Sequence, residues 1–195
     1  MGYDDAITLA MQKLDQIPPQ TVCFNCGVHY KNGGFIIPWF NKEIALCDAS
    51  VTQKILWLHY MTSNGSKNES GQLIAYREAA PALFYEPNFY KRAVQPLVNF
   101  FGNQPEKLIE TGIALGGKAA QMGDASIKIN VLPYLPLTFI IWQGSVSIEY
   151  DEEFAPDGNI LFDKSAKTWF APEDMAVIAS AAVHEMINTC NEGNK

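Results

Sequence analysis

Ser126-Ile127-Lys128-Ile129-Asn130-Val131 decides the fold. Ile127, Ile129 and Val131 alternate with polar residues, and successive side chains of an extended chain point to opposite faces, so this segment reads as a strand with one buried and one wet face. A few residues on, Phe139-Ile140-Ile141-Trp142 is apolar throughout, the pattern of a more fully buried partner strand. Pro133 and Pro136 bracket the connection between the two. A pair of this kind is the centre of an antiparallel sheet that needs helices to cover its apolar face.

The flanking sequence supplies them. Towards the C-terminus, Asp157-Gly158 reads as a turn and Ile160–Phe162 as a short strand. Pro172-Glu173-Asp174 then opens a last, alanine-rich helix, with proline and acids in its first turn as helix electrostatics favours. Towards the N-terminus, Ile7, Ala10, Met11 and Leu14 share one face of a helix over residues 4–16, ended by Pro18-Pro19. A β region is expected next, with Asn32-Gly33-Gly34 turning Val28–Lys31 into Phe35–Phe40 and Asn41-Lys42 turning into Glu43–Cys47. Residues 51–62 return to helical spacing, 63–71 form a polar loop, and 72–78 look extended. Residues 87–101 look helical but broken by Pro96, and a helix from Pro105 stops at Gly116-Gly117. The expected fold class is α+β: a mostly antiparallel sheet packed against helices, with a hairpin-rich N-terminal region, in a single domain over 1–195.

Composition narrows the function. The 195 residues are 48% hydrophobic and 18% charged, a globular balance. Fourteen Lys and Arg stand against 21 Asp and Glu, for a net charge of -7 and no basic run, which argues against a nucleic-acid partner. No stretch approaches the roughly 20 apolar residues of a membrane helix, and Tyr3-Asp4-Asp5 is acidic where a secretory signal is basic. A cytoplasmic protein without membrane contact is the expectation, so Cys23, Cys26, Cys47 and Cys190 are read as thiols or metal ligands rather than disulfides.

The chemistry-bearing candidates are scattered. Cys23-Phe24-Asn25-Cys26 has the spacing of a metal knuckle, suited to zinc or an iron–sulfur corner, against the plainer reading of buried thiols. His59, on the helix over 51–62, is either a hydrogen-bonded boundary residue, a general base, or an axial ligand to a metal. Arg77-Glu78 reads as an ion-pair element or as a clamp for a ligand carboxylate or phosphate. In Asp151-Glu152-Glu153 the first and third acids point to the same side of an extended chain, and Asp163 stands where it caps a turn or contacts a ligand. No dinucleotide fingerprint, P-loop, nucleophile elbow or His-Glu-x-x-His helix is present.

Taken together, Leu58-His59-Tyr60, Tyr76-Arg77-Glu78, Phe101-Gly102, Leu115-Gly116-Gly117, Trp142 with Gly144, Asp151-Glu152-Glu153-Phe154 and Leu161-Phe162-Asp163 give the chain a likeness over about residues 50–178. In their order and spacing it resembles the uncharacterised domain-of-unknown-function family numbered 3786. That resemblance implies an association with anaerobes and, through relatives joined to an iron–sulfur cluster domain, a link to corrinoid or iron–sulfur metabolism. Ser145–Tyr150 lengthens the segment between Trp142 and the acids relative to that pattern. The expected function is a small-molecule or cofactor-binding module, with corrinoid or another tetrapyrrole, zinc or an iron–sulfur cluster as candidate cofactors. Its expected pocket combines aromatic walls (Trp57, Tyr76, Tyr85, Trp142) with polar contacts from His59, Arg77, Glu78, Asp151 and Asp163. The alternatives are a hydrolase- or lyase-type enzyme using His59 with nearby carboxylates, and an interaction module for an iron–sulfur or corrinoid protein.

Overall fold

The computed structural model describes residues 2–79, 85–147 and 152–193. The chain begins with α1 (Tyr3–Leu14) and α2 (Pro19–Cys26). Pro18-Pro19 ends the first helix but also starts the second, because proline at the first helical position is already set at a helical φ. Gly27, at φ 69°, stops α2 in the left-handed conformation that favours glycine. The Cys23–Cys26 segment is therefore helical rather than part of a β region.

A three-stranded antiparallel sheet follows, β1 (His29–Lys31), β2 (Gly34–Trp39) and β3 (Lys42–Ala45). Asn32 and Gly33 both take positive φ, 52° and 80°, as a two-residue hairpin turn requires. The second hairpin turns on Phe40-Asn41, one residue earlier than expected, with Trp39 opposite Lys42. A short 3-10 turn over Leu46–Asp48 leads to α3 (Val51–Thr62), whose first turn is closed by Ser50 and Gln53 bonding to each other's backbone N–H.

The main sheet has the order β4-β10-β7-β6-β5 and is antiparallel throughout. It comprises β4 (Leu73–Ala75), β5 (Lys118–Ala119), β6 (Ala125–Leu132), β7 (Leu135–Trp142) and β10 (Asp157–Asp163). The β6–β7 turn is confined to Pro133-Tyr134, so Pro136 lies inside β7, opposite Asn130 and beside a register shift. A bulge at that point accommodates a residue with no N–H to give the ladder. Asp157-Gly158 opens β10 instead of turning. A two-stranded ribbon, β8 (Ser145–Ser147) with β9 (Glu152–Phe154), projects from the same end.

The covering helices are α4 (Tyr76–Ala79), α5 (Glu86–Phe89), α6 (Gln95–Phe101), α7 (Pro105–Ala114), α8 (Ala166–Trp169) and α9 (Pro172–Gly193). The break expected at Pro96 is a π-helical turn over Tyr90–Val94 between α5 and α6. Proline cannot donate to the preceding turn, and widening that turn absorbs the loss. Helix α7 packs on β6 and α6 on β10, with α9 against both helices. The approach of α7 is close because Gly112 has no side chain: a Cβ there would overlap Ile127. Buried side chains form a connected core from Ala10 to Met186. Among the described residues no helix is long and apolar enough to cross a membrane.

Candidate functional site

A cavity of about 760 Å³ lies between α1 and the N-terminal three-stranded sheet. Ile7, Met11 and Leu14 line it from α1, Ile17 from the turn that follows and Pro19 from the start of α2. The opposite wall is the first hairpin, Tyr30 to Ile36, with the Tyr30 and Phe35 rings edge to face at 4.9 Å. Ala45, Leu46 and Cys47 continue that wall, and Lys54 reaches it from α3. The local sequence explains the shape. The two-residue turn at Asn32-Gly33 holds β1 and β2 in a tight hairpin, and the apolar stripe of α1 faces it without closing on it. Charged groups in the lining are Asp15, Lys31 and Lys54. Nζ of Lys54 donates to the Cys47 carbonyl at 3.3 Å.

None of the described residues expected to bind a ligand lines this cavity. His59, on α3, is paired with Asp174 in the first turn of α9, Nδ1 to Oδ2 at 2.8 Å. The hydrogen bond it makes to the Asp174 carboxylate holds the imidazole above its usual 6.5, against burial and the nearby Lys13. Tyr76 is buried, stacked on Phe89 at 4.2 Å, and donates its hydroxyl to the Pro172 carbonyl at the start of α9. His59 and Tyr76 thus meet the same helix terminus. Arg77 is exposed, and among the described residues it enters no ion pair. Glu78 accepts the Ala75 backbone N–H at 2.7 Å, which closes the turn from β4 into α4. Trp57 is fully buried near Trp39, so it packs the core instead of a pocket wall. Trp142 lies half-exposed opposite Asp157, at the far end of β10 from Asp163, and Tyr85 is exposed beside α5. Asp151 lies outside the described residues.

Asp163 is an organiser of backbone. Its Oδ1 accepts from Ser70 N–H, Ser70 Oγ and Ser165 N–H at 2.8–2.9 Å, and its Oδ2 from Gly71 N–H at 2.9 Å. Burial raises its pKa, but the hydrogen bonds from Ser165 and Ser70 prevail and bring it down to about 2. The polar 63–71 loop, which has no apolar residue of its own to bury, is fixed there and at Trp169. Nε1 of Trp169 donates to the Ser66 carbonyl, and Gly65 lies flush on the indole.

The cysteine pair lies along α2. Cys26 is buried, and its thiol points to the carbonyls of Tyr60 and Met61, at 3.7 and 3.8 Å. Tyr60 returns a hydrogen bond from its hydroxyl to the Cys26 carbonyl at 3.0 Å, clasping α2 to α3. Burial pushes the Cys26 thiol up to about 11 and raises Cys23 as well. Among the described residues no three His, Cys, Asp or Glu side chains are grouped to hold a metal ion. A corrinoid or haem held through histidine does not fit the cavity either. None of its lining residues is a histidine, and His29 and His184 engage Glu43 and the Ser180 carbonyl.

The cavity residues escaped the sequence reading for a plain reason. The stripe Ile7, Met11, Leu14 has the spacing of ordinary core packing, and Asn32-Gly33-Gly34 that of an ordinary turn. Asp174 was legible as a helix-start acid, but nothing local connected it to His59. No curated protein and no solved structure matches the chain. One family model does, over residues 18–185, and the chain accordingly belongs to the family described as a domain of unknown function, DUF3786.

Proposed function

We propose that this protein binds a small, largely apolar molecule in the cavity between α1 and the three-stranded sheet. The observation that carries the reading is the cavity itself: about 760 Å³, walled by aliphatic and aromatic side chains with a few charged groups. Ligand sites fall at roughly 300–1,000 Å³ with this kind of lining. The family match starts at residue 18, so the sheet and Lys54 belong to the shared body, while Ile7, Met11 and Leu14 on α1 lie outside the match. In this reading α1 shapes the pocket for this chain's own ligand.

Other readings draw less support. A base built from His59 and Asp174 has a suitable hydrogen bond, but neither residue lines the cavity where a substrate would sit. An interaction module would present a contiguous apolar patch, whereas the most exposed apolar residues, Phe24, Ile113 and Phe154, stand on separate elements. The association with corrinoid or iron–sulfur metabolism rests on the family context. The test is binding of the neutral fluorescent probe N-phenyl-1-naphthylamine to the native protein and to Met11→Trp, which fills the cavity. Loss of binding in the variant is expected. Unchanged binding would remove the cavity as the site.

A further inference from the structure

The ligand class can be narrowed, on the premise that the cavity is the binding site. The protein is acidic overall, with 21 Asp and Glu to 14 Lys and Arg. The cavity inverts that balance: two lysines, Lys31 and Lys54, against Asp15 alone. Two lysines elsewhere are matched with carboxylates, Lys42 with Glu185 and Lys128 with Glu69. Among the described residues neither Lys31 nor Lys54 enters an ion pair. Lys54 is half-buried, and among the described residues its one hydrogen-bond partner is a neutral carbonyl, that of Cys47.

An ammonium group drawn partly out of water gains most from a negative partner, and it has three hydrogens to give. The Lys54–Cys47 bond fixes its position on the wall while leaving donors for a guest. Across the cavity the surface is apolar, with the Tyr30 and Phe35 rings on one side and the stripe of α1 on the other. We infer that the ligand is an amphipathic anion: an aromatic or aliphatic body between α1 and the hairpin, with a single carboxylate, sulfonate or phosphate group held by Lys54 and supported by Lys31. Lys54 would then set affinity for the charged end, and the α1 stripe would select the shape of the apolar end.

Two fluorescent probes that share an apolar body separate this inference from the cavity reading on which it depends. They are 8-anilinonaphthalene-1-sulfonate, which carries an anion, and N-phenyl-1-naphthylamine, which does not. The sulfonate is expected to bind the native protein more tightly. Lys54→Gln should weaken it by about tenfold, the scale of one charge-assisted hydrogen bond, and leave the neutral probe within about twofold. Met11→Trp should weaken both. Because that variant could misfold, Cys47 in the cavity wall gives a second readout: bound sulfonate should protect its thiol from iodoacetamide in the native protein. If Lys54→Gln leaves the sulfonate affinity unchanged while Cys47 is protected, the anionic ligand class is wrong and the cavity reading survives. If neither probe responds to Met11→Trp and Cys47 is not protected, both fall together.

Discussion

Nδ1 of His59 and Oδ2 of Asp174 lie 2.8 Å apart and join α3 to the first turn of α9, 115 residues away in sequence. The pair stands half in solvent at a helix start, where a carboxylate is already favoured by the helix dipole. It ties the C-terminal helix to the part of the chain that carries the cavity.

This pair gives a pH dependence with a definite sign. His59 has its pKa raised in the folded protein, so it contributes stability that is fully present below the unfolded value near 6.5 and lost as pH rises through the folded value. With the imidazole side chain 41% exposed, solvent screening limits the effect to at most about 1 kcal/mol. His59→Gln should therefore cost more at pH 5.5 than at pH 8.5 in urea unfolding. An equal cost at both would mean that Asp174 does not sense the charge on the ring.

Asp163 has the opposite sign. Its pKa is brought down to about 2, so its contribution is present above the unfolded value near 3.8 and is lost as pH falls through 2. Asp163→Asn turns an amide group toward backbone N–H donors that had a carboxylate. A loss of roughly 2 kcal/mol is expected near neutral pH, shrinking between pH 4 and pH 2. Acid-unfolding curves of the two proteins that stay parallel over that range would refute the assignment.

Gly65 should tolerate no side chain. A Cβ there would overlap the indole of Trp169, whose Nε1 also holds the Ser66 carbonyl. Gly65→Ala is expected to destabilise by about 1–3 kcal/mol, the usual cost of overpacking, and to raise amide exchange in residues 63–71. Protection of that loop equal to the native protein's would show that it can shift without leaving Trp169.

Thiol reactivity tests the fate of the CxxC pair. Cys47 is exposed, whereas Cys26 is buried with its pKa pushed up to about 11. Iodoacetamide at pH 7.5 should modify Cys47 first and spare Cys26 until the protein unfolds. Rapid labelling of Cys26 in the native state, read by peptide mass spectrometry, would overturn the clasp between α2 and α3.

What the sequence determined was everything written in neighbouring residues. The alternation around Ile127–Val131, the Asn32-Gly33 turn, the helix over 51–62 and the break ahead of Pro96 are local physics, and each stands in the structure where periodicity or turn chemistry put it. Local signals misled over 72–78, where the strand stops at Ala75 and Tyr76–Ala79 is helical, and where one residue type serves two purposes. Pro19 begins a helix as readily as it ends one, and Asp157-Gly158 opens a strand as readily as it turns. Tertiary structure alone decided the sites. Which carboxylate meets His59, which loop Asp163 holds and which apolar stripe stands clear of its neighbour all depend on segments tens of residues apart. Side-chain identity states what a residue is able to bond with, and only packing of the whole chain determines which partner comes within 3 Å.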